Sequence, residues 1–466
     1  MPATAGFGIH LLRMDRADLN SLAPRAATVR RIAERLGFAL VGIAPAEPTQ
    51  HEADLRAWLA AGKHGSMEYL ARQADTMIDP RALVPDAKSI ICLADRYDGG
   101  SPIPDRESSA SNPQSEIRNP KSEPPLGRIA SYAHGDDYHW VMKRRMHAMA
   151  DELRVMWPGH EFRSCVDTAP LLEREHAARA GLGWIGKHTL LIHPQLGSWL
   201  YLGEIVTSLP IATSAQSAFP APLIPPHEFD GAGGHCGTCT RCIEACPTQC
   251  ITPYSVDASR CVSYLTIEHR GQIDPSLHPM MRNWLAGCDV CQSVCPFNQV
   301  EEHATRTKRQ VETNVHALKT LSESSPNSRA ENLTTTNASD ASPAAGTMNP
   351  QYQPLTCDVG AVHPEYASRP PAPALPLLAV LNWTESDRQA ALVKSALKRI
   401  KLDMWKRNAL IAAGNWLMDH DDPTLRSRVE QLAGEESESD LVRATARQVM
   451  ARLDEKAGGS PGVAPG

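Results

Sequence analysis

The stretch HCGTCTRCIEACP, residues 235–247, carries four cysteines in the spacing C-x2-C-x2-C-x3-C-P. Bacterial ferredoxins hold iron-sulfur clusters with this spacing, because short C-x2-C loops direct several thiolates at one small volume. The proline after the last cysteine cannot continue a helix and turns the chain away. The run therefore predicts an iron-sulfur region and, with it, single-electron transfer.

A second run, GCDVCQSVCP at residues 287–296, has the spacing C-x2-C-x3-C-P, and another cysteine lies between the two runs. In two-cluster ferredoxins the fourth cysteine of a run binds the other cluster. This pattern assigns the first 4Fe-4S cluster to Cys236, Cys239, Cys242 and Cys295. It assigns the second to Cys246, Cys261, Cys288 and Cys291.

Two other uses of cysteine fit this spacing less well. Disulfides are rare in a chain without a secretion signal, and zinc sites usually pair C-x2-C motifs across a ribbon. Four of the twelve cysteines remain outside the assignment and are interpreted as ordinary buried or loop residues: Cys92, Cys165, Cys250 and Cys357. Cys250 is the nearest rival for a ligand position, but it lies outside the C-x2-C rhythm.

The chain has 466 residues, 42% of them hydrophobic, and a net charge of -6. This length is enough for about three packed domains. The sequence begins without a basic segment followed by an apolar run, and it has no run of about 18 uncharged apolar residues. We therefore expect a monomeric cytoplasmic protein with no membrane contact.

Composition and periodicity divide the chain into six parts. Runs such as SIICLA predict strands and runs such as AATVRRIAERLG predict helices. Segments rich in Ser, Pro, Asn and charge predict disorder, including an insertion at 99–126. The predicted parts are an N-terminal extension (1–24), an α/β or α+β domain (25–225), a two-cluster ferredoxin-like domain (226–302), a disordered linker (303–372), an all-α HEAT-like repeat tail (373–456) and a disordered end (457–466).

The stretch AGLGWIGKHTLLI, residues 180–192, matches both G-x-G-x-x-G and G-x4-G-K. A dinucleotide loop must follow a strand and begin a helix, whereas this stretch follows a predicted helix and precedes a predicted strand. A phosphate loop needs Ser or Thr after its Lys, and this position is His188. The glycines are instead expected to let the backbone approach something bulky and flat, with Lys187 and His188 available for polar contacts.

The segment VKSALKRIKLDMWKRN, residues 393–408, carries six basic residues and a single acid. Several of the basic residues fall on one side of a predicted helix. Such a face is either solvated or contacts phosphates, and the residues alone leave both roles open. The residues also leave open whether Asp167, at the end of a predicted strand, caps the next helix or points into a cleft.

Several stretches together resemble the epoxyqueuosine reductase family. They are VDTAPLLEREHAARAGLGWIGKHTLLI (166–192), GSWLYLGEI (197–205), CVSYLTIEHRG (261–271), both cysteine runs and the helical tail. The resemblance implies reduction of epoxyqueuosine to queuosine at the wobble position of tRNA, the last step of queuosine synthesis. It implies that cobalamin, bound in residues 25–225, carries out the reduction with electrons relayed through the two clusters, in a core similar to that of reductive dehalogenases.

The same resemblance implies roles for individual residues. Asp167 matches the family's proton donor, which requires burial to raise its pKa above the usual value of about 3.9. Arg174 matches a position near the substrate, and a tRNA substrate would give Lys398 and Arg399 phosphates to contact. The predicted lining of the cobalamin cleft is Tyr132, His139, Lys143, Asp167, Lys187 and His188.

One position departs from the family pattern. A basic residue is expected just before Asp79-Pro80, and this chain has Thr76, Met77 and Ile78 there. The departure concerns cofactor affinity rather than the reaction class.

Two rival functions use the same motifs. A cobalamin-dependent reductive dehalogenase would act on a small organohalide, and a ferredoxin-like electron carrier would not be catalytic. The helical tail and the lack of an export signal argue against a reductive dehalogenase. The large additional domain argues against an electron carrier. A reductase also needs an external low-potential electron donor, which the sequence does not identify.

Overall fold

The computed structural model describes residues 21–97, 124–215, 235–299, 362–369 and 373–458. Most of the predicted extension, insertion, linker and disordered end, together with Cys357, lies outside the described residues. The strands are β1 (Leu40–Pro45), β2 (Ser89–Arg96), β3 (Leu126–Ile129), β4 (Phe162–Cys165), β5 (Trp184–Ile185), β6 (Leu191–Ile192), β7 (Leu200–Thr207), β8 (Ile251–Thr252), β9 (Ser255–Val256), β10 (Trp284–Ala286) and β11 (Ala374–Pro376). The helices are α1 (Leu22–Arg35), α2 (Glu52–Ala60), α3 (Glu68–Arg72), α4 (Ala74–Ile78), α5 (Tyr138–Met156), α6 (Glu173–Arg179), α7 (Arg241–Glu244), α8 (Val262–Ile267), α9 (Val290–Ser293), α10 (Leu377–Leu381), α11 (Glu385–Ala391), α12 (Leu402–Leu417), α13 (Pro423–Gly434) and α14 (Asp440–Gly458).

An antiparallel sheet in the order β1-β2-β7-β4 organises the N-terminal half. Side chains alternate along β2, so Ile91 and Leu93 pack with α1 and α5 on one face. Ile90 and Cys92 face the other side, where α6 packs. Both faces are therefore buried, which explains why β2 reads as a continuous apolar run. The antiparallel pairing makes this domain α+β.

A second sheet joins three distant parts of the chain. β3 lies at its centre, pairs in parallel with β10 of the cysteine-rich region, and pairs antiparallel with β11 at the start of the tail. The three predicted domains are thus connected by backbone hydrogen bonds as well as by side-chain packing. This sheet brings the cysteine-rich region and the helical tail against the N-terminal domain.

The helical tail packs around α12. Its apolar residues, including Trp405, Ala409 and Leu410, are fully buried among the neighbouring helices. α14 and α13 cover one side, and α8 and β10 lie against the other. The tail is therefore packed onto the cysteine-rich region along its length.

The predicted single basic helix is wrong. Residues Ala396–Arg399 form a 3-10 turn, Ile400 is extended, and α12 begins only at Leu402. Lys406 and Arg407 are buried, because α12 is surrounded by other elements. Arg407 donates to the backbone oxygens of Leu265, His269 and Gly271 at 2.6–2.7 Å.

Part of the predicted linker is also ordered. Residues 362–369 contain a 3-10 turn at Pro364–Tyr366, and Tyr366 is buried in the core beside α5. Its hydroxyl donates to Asp95 at 2.6 Å. Among the described helices, none is both long and apolar enough to cross a membrane.

Candidate active site and iron-sulfur region

One large cavity lies between the sheet, the cysteine-rich region and the tail, with a volume of about 2120 Å³. Pockets for small ligands usually measure roughly 300–1,000 Å³. Its walls include the loop after β4, the first turn of α5, strand β7 and the 3-10 turn of the tail. The cavity therefore has room for a large cofactor together with part of a substrate.

Asp167 projects into this cavity from the loop after β4. Its φ of +55° is a left-handed conformation that costs a non-glycine residue about 1 kcal/mol or more. His139 Nε2 lies 3.0 Å from Asp167 Oδ2, and His139 Nδ1 lies 2.7 Å from Asp137 Oδ1. Asp137 is the N-cap of α5 and also accepts the backbone N–H of His139. The N-cap of α5 thus fixes the imidazole ring of His139, which in turn bonds Asp167.

These contacts decide where the proton resides. Burial acts to lower the pKa of His139, but hydrogen bonds to Asp137 and Asp167 raise that pKa to about 9. Burial acts to raise the pKa of Asp167, but His139, Arg399 and the hydroxyl of Tyr138 lower it below its usual value. The expected raised pKa of Asp167 is therefore wrong for this structure. At neutral pH the proton is on His139, because its two carboxylate partners stabilise the imidazolium.

Aromatic rings form the wall beneath this pair. The Tyr138 ring stacks on His139 with centroids 4.0 Å apart and lies nearly parallel to Tyr201 at 4.5 Å. Tyr132 contacts Tyr138 edge-on at 6.3 Å. Tyr132, Tyr138 and Tyr201 all line the cavity, which gives it a rigid, flat side.

The cysteine thiols fall into two neighbourhoods. Burial, together with the charges of Cys236, Cys242 and Cys239, raises the pKa of Cys295 to about 11. Burial likewise raises the pKa of Cys288, with contributions from Cys261 and Cys246. The pKa of Cys291 is raised by burial, then by Cys288, Cys261 and, from the first neighbourhood, Cys242. The first neighbourhood contains Cys236, Cys239, Cys242 and Cys295, and the second contains Cys246, Cys261, Cys288 and Cys291.

The two neighbourhoods differ in their relation to the cavity. All four thiols of the second line it, whereas the described lining includes none of the first. Within the described residues, no three His, Cys, Asp or Glu side chains are grouped as a single metal ion requires. The cysteine sulfurs of each neighbourhood therefore do not surround a site for a single metal ion.

Cys250 is closer to the second neighbourhood than the sequence analysis expects. It is buried, and its Sγ lies 3.5 Å from Cys246 Sγ. Its hydrogen bond to Cys246 lowers the pKa of Cys246 to about 5. Its hydrogen bond to Cys261 lowers the pKa of Cys261 to about 7. Its interpretation as an ordinary cysteine misses these contacts. Cys92 and Cys165 are buried in the sheet, as predicted.

Arg174 and His188 both line the cavity. Arg174 Nη1 donates to the backbone oxygen of Thr189 at 2.7 Å and to its hydroxyl at 3.0 Å. His188 is buried, and burial followed by the charge of Arg174 lowers its pKa to about 4. Its Nδ1 accepts the N–H of Leu190 at 3.2 Å, so the proton of the neutral ring is on Nε2. That nitrogen is buried and has no hydrogen-bond partner among the described residues.

Lys187 and Lys143 lie elsewhere than expected, since neither is among the described residues that line the cavity. Lys187 Nζ donates to the backbone oxygens of Gly237 and Cys239 at 2.7 and 2.9 Å. It therefore fastens the first cysteine run to the β5–β6 turn. Lys143 lies on α5, where its charge acts on Cys165 in β4.

The glycines of the 180–192 stretch serve the protein's own packing. A Cβ at Gly183 would lie 2.2 Å from the backbone oxygen of Ile192 on the paired strand β6. Gly181 has a φ of +80° and follows the end of α6. The expected close approach is real, but its partner is a neighbouring strand.

Arg399 reaches the cavity from the tail. It forms an ion pair with Glu268 at 2.5 Å and is hydrogen-bonded to Tyr69, whose pKa is raised mainly by burial. Lys398 is exposed beside it, close enough for its charge to act on Asp137. Met77, at the position expected to be basic, is buried and lines the cavity.

Four side chains that contribute to the site were not predicted: Tyr69, Asp137, Tyr138 and Glu173. The sequence does carry a signal for Asp137, because an Asp directly before the start of a helix is a preferred N-cap. Tyr69 and Glu173 are brought to the cavity by tertiary packing alone.

The cavity fits the cofactors predicted above. Its size suits a large, flat ligand, and the unpartnered Nε2–H of His188 provides a donor for a polar group of such a ligand. The thiols of the second neighbourhood open onto the same space. A cluster held there would lie beside the ligand, as electron transfer requires.

Comparison with known protein families adds two matches. Residues 78–168 match the family described as epoxyqueuosine reductase QueG, DUF1730. Residues 235–298 match the 4Fe-4S double cluster binding domain, which spans both cysteine runs.

Individual relatives give the same picture. The chain is 38% identical over 299 residues to an epoxyqueuosine reductase of Burkholderia pseudomallei, covering 63% of this chain and 70% of that protein. It is 31% identical over 440 residues to the epoxyqueuosine reductase of Escherichia coli, covering 93% and 92%. Its fold is similar to a crystal structure of epoxyqueuosine reductase with an epoxyqueuosine-modified stem loop of tRNA-Tyr, with a TM-score of 0.66, 19% identity, and coverage of 95% and 96%.

Proposed function

The chain belongs to the epoxyqueuosine reductase family and is an oxidoreductase, and we propose that it reduces epoxyqueuosine to queuosine in the cavity beside Asp167. One observation carries the assignment of the site. The same cavity contains the Asp167–His139 pair and the four thiols of the second neighbourhood, so a proton source and an electron source face one space.

The reaction removes an epoxide oxygen. Both C–O bonds break, a C=C bond forms, and the oxygen leaves as water, which consumes two electrons and two protons. One proton moves from His139 to Asp167 across the 3.0 Å contact, and Asp167 passes it to the leaving oxygen. His139 is suited to this task because its pKa of about 9 keeps it charged at neutral pH. The second proton comes from water at the cavity mouth.

We propose that the thiols hold two 4Fe-4S clusters in the crossed pattern: Cys236, Cys239, Cys242 and Cys295 for the first, and Cys246, Cys261, Cys288 and Cys291 for the second. Tyr132, Tyr138 and His188 line the space for cobalamin, with His188 Nε2 as a hydrogen-bond donor. When bound, cobalamin would supply a two-electron reducing centre, and the clusters would supply single electrons from an external low-potential donor.

We propose tRNA as the substrate, with the wobble nucleotide in the cavity. Arg399 and Arg174 line this space, and Lys398 lies exposed next to it. The tail, which we interpret as HEAT-like, would present these basic residues to phosphates. A tRNA substrate is consistent with a cytoplasmic enzyme.

Nucleoside mass spectrometry tests this function. Purified protein with both clusters and cobalamin bound, incubated anaerobically with tRNA carrying epoxyqueuosine and a low-potential reductant, is expected to form queuosine. Omission of cobalamin should prevent conversion. No conversion by the fully loaded protein would overturn the proposal.

An Asp167→Asn variant tests the site within the same assay. It keeps the size of the side chain but cannot pass on a proton, so the turnover rate should fall by about 100-fold or more. Iron and cobalamin content should stay at the wild-type level. Unchanged turnover would remove Asp167 from the mechanism.

A further inference from the structure

Glu173 lies directly behind the loop that carries Asp167. It is the first residue of α6, and its Oε1 accepts the backbone N–H of Asp167 at 2.6 Å. The loop comprises residues 166–172, between β4 and α6. Asp167 is thus held on two sides, through its carboxylate by His139 and through its backbone by Glu173.

The two ends of the loop are anchored, because Val166 and Leu171 are buried and Leu172 O accepts the N–H of His176 at 3.0 Å. Between these ends, the other hydrogen bonds among the described residues are local: Thr168 N–H and Oγ1 to Val166 O at 2.5 and 3.4 Å, and Leu171 N–H to Ala169 O at 2.8 Å. Asp167 meanwhile has an unfavourable positive φ. A conformation of this kind persists only where surrounding contacts impose it, and the bond from Glu173 acts on the strained residue itself.

Glu173 lies among other acidic groups in the cavity wall. Its carboxyl group is partly buried, and burial followed by the charges of Glu204 and Asp167 raises its pKa well above the usual value. Glu204 is itself buried and bonded to His176 Nδ1 at 2.9 Å. A carboxyl oxygen accepts a backbone N–H in either protonation state, so the bond to Asp167 does not depend on the charge of Glu173.

We propose that Glu173 is a positioning residue, which holds the Asp167 loop in the left-handed turn that directs the Asp167 carboxylate into the cavity. Its effect on catalysis rests on the proposed function, whereas its effect on the loop does not. A glutamine at this position keeps an oxygen acceptor of the same reach, and an alanine removes it. The pair of variants therefore separates the hydrogen bond from the charge.

Hydrogen–deuterium exchange of the fully loaded protein tests the structural half. Glu173→Ala should speed exchange of the 163–174 segment by about tenfold, because the hydrogen bond that holds the Asp167 backbone is lost. Glu173→Gln should exchange close to wild type. Glu161→Ala is the matched control, since this exposed residue lies just before β4 and its loss should leave the segment unchanged. Unchanged exchange in Glu173→Ala would overturn the proposal.

Steady-state kinetics with epoxyqueuosine-containing tRNA test the catalytic half. Glu173→Ala should lower kcat about tenfold with KM within twofold, because the substrate still binds while Asp167 is displaced. Glu173→Gln should restore most of kcat. A glutamine variant as slow as the alanine variant, with normal exchange, would overturn the positioning role. If the wild type fails to convert the substrate, the proposed function is at fault, and the exchange comparison still decides the role of Glu173.

Discussion

At the scale of single residues, the site separates the group that holds a proton from the group that delivers it. His139 is flanked by two carboxylates and carries the charge, while Asp167 faces the cavity. The sequence pointed to Asp167 alone and therefore required it to be protonated. The pair meets the same chemical need without that requirement.

The pair predicts a particular pH dependence. The pKa of His139 is raised to about 9, so the proton is present below that pH and is lost above it, and the wild-type rate should fall as pH rises through about 9. In His139→Gln, Asp167 loses the partner that lowers its pKa, and burial then raises that pKa. The falling limb of the pH–rate profile should move to lower pH.

His147→Gln provides the control for this profile, because His147 is exposed and lies on the same helix. Its limb should stay near that of the wild type, which also accounts for any pH dependence of the reductant. A limb that stays near pH 9 in His139→Gln would show that another group supplies the proton.

We expect Cys250 to contact a cluster ligand without binding the cluster itself. Its thiol touches Cys246, yet the crossed ferredoxin pattern is complete without it. Cys250→Ala should therefore keep the iron content of the wild type after anaerobic reconstitution. Cys261→Ala should lose about half of the iron, because one of two clusters loses a ligand. Equal losses in the two variants would make Cys250 a ligand.

The sequence predicted site residues better where the residues that meet in the site are also close together along the chain. The cysteines of each run lie together because only a few residues join them, whereas the assignment of Cys295 to the first cluster stays a prediction from the ferredoxin pattern. Glu173, Tyr69 and Arg399 reach the cavity only through tertiary packing. No periodicity in the sequence carries that information.

At the scale of elements, the segment at 393–408 separates into two parts with different roles. Lys398 and Arg399 lie on a 3-10 turn at the cavity edge, while Arg407 lies inside the protein and satisfies backbone oxygens of the cysteine-rich region. The helical spacing of residues in the sequence continues across Ile400. In the structure, however, the helix is interrupted there. The basic character of the segment was predictable, but its division was not.

Lys398→Glu tests the exposed part. Replacing a cation near the substrate phosphates should raise KM for tRNA several-fold, with a steeper effect at low salt, and leave kcat nearly unchanged. Lys88→Glu makes the same charge change at an exposed residue that is not part of the cavity lining and should match the wild type. Identical kinetics in both variants would return Lys398 to a solvated role.

Strands β1, β2 and β7 were predictable because each lies in a mainly apolar run. Their antiparallel order was not, since strand order depends on long-range pairing. Strand β6 was predicted only as part of the longer run HTLLI, β5 was not predicted, and Gly183 shows why the two are constrained. The backbone of Ile192 leaves no space for a side chain there.

At the scale of the whole molecule, the tail completes the protein. β11 pairs with β3, and Asn408 of α12 donates to the backbone oxygens of Thr266 and Leu285 at 3.0 and 2.7 Å. A chain that ends at residue 369 should therefore expose apolar surface and unpaired backbone groups. We expect low soluble yield and loss of iron, measured after anaerobic reconstitution.

A chain that ends at residue 458 is the control for that truncation and should retain wild-type yield and iron content. A soluble 1–369 protein with full iron would show that the tail is an independent module. The sequence predicted a helical domain here. The shared sheet and the buried Arg407 join it to the rest of the protein.

The central position of β3 has a consequence for biosynthesis. Its two partners, β10 and β11, are encoded far downstream, at residues 284–286 and 374–376. At ribosomal rates of about 5–20 residues per second, β3 waits on the order of tens of seconds before its last partner leaves the exit tunnel. During this interval its edges are open to other chains. Chaperone capture of the nascent chain should be greatest in that window.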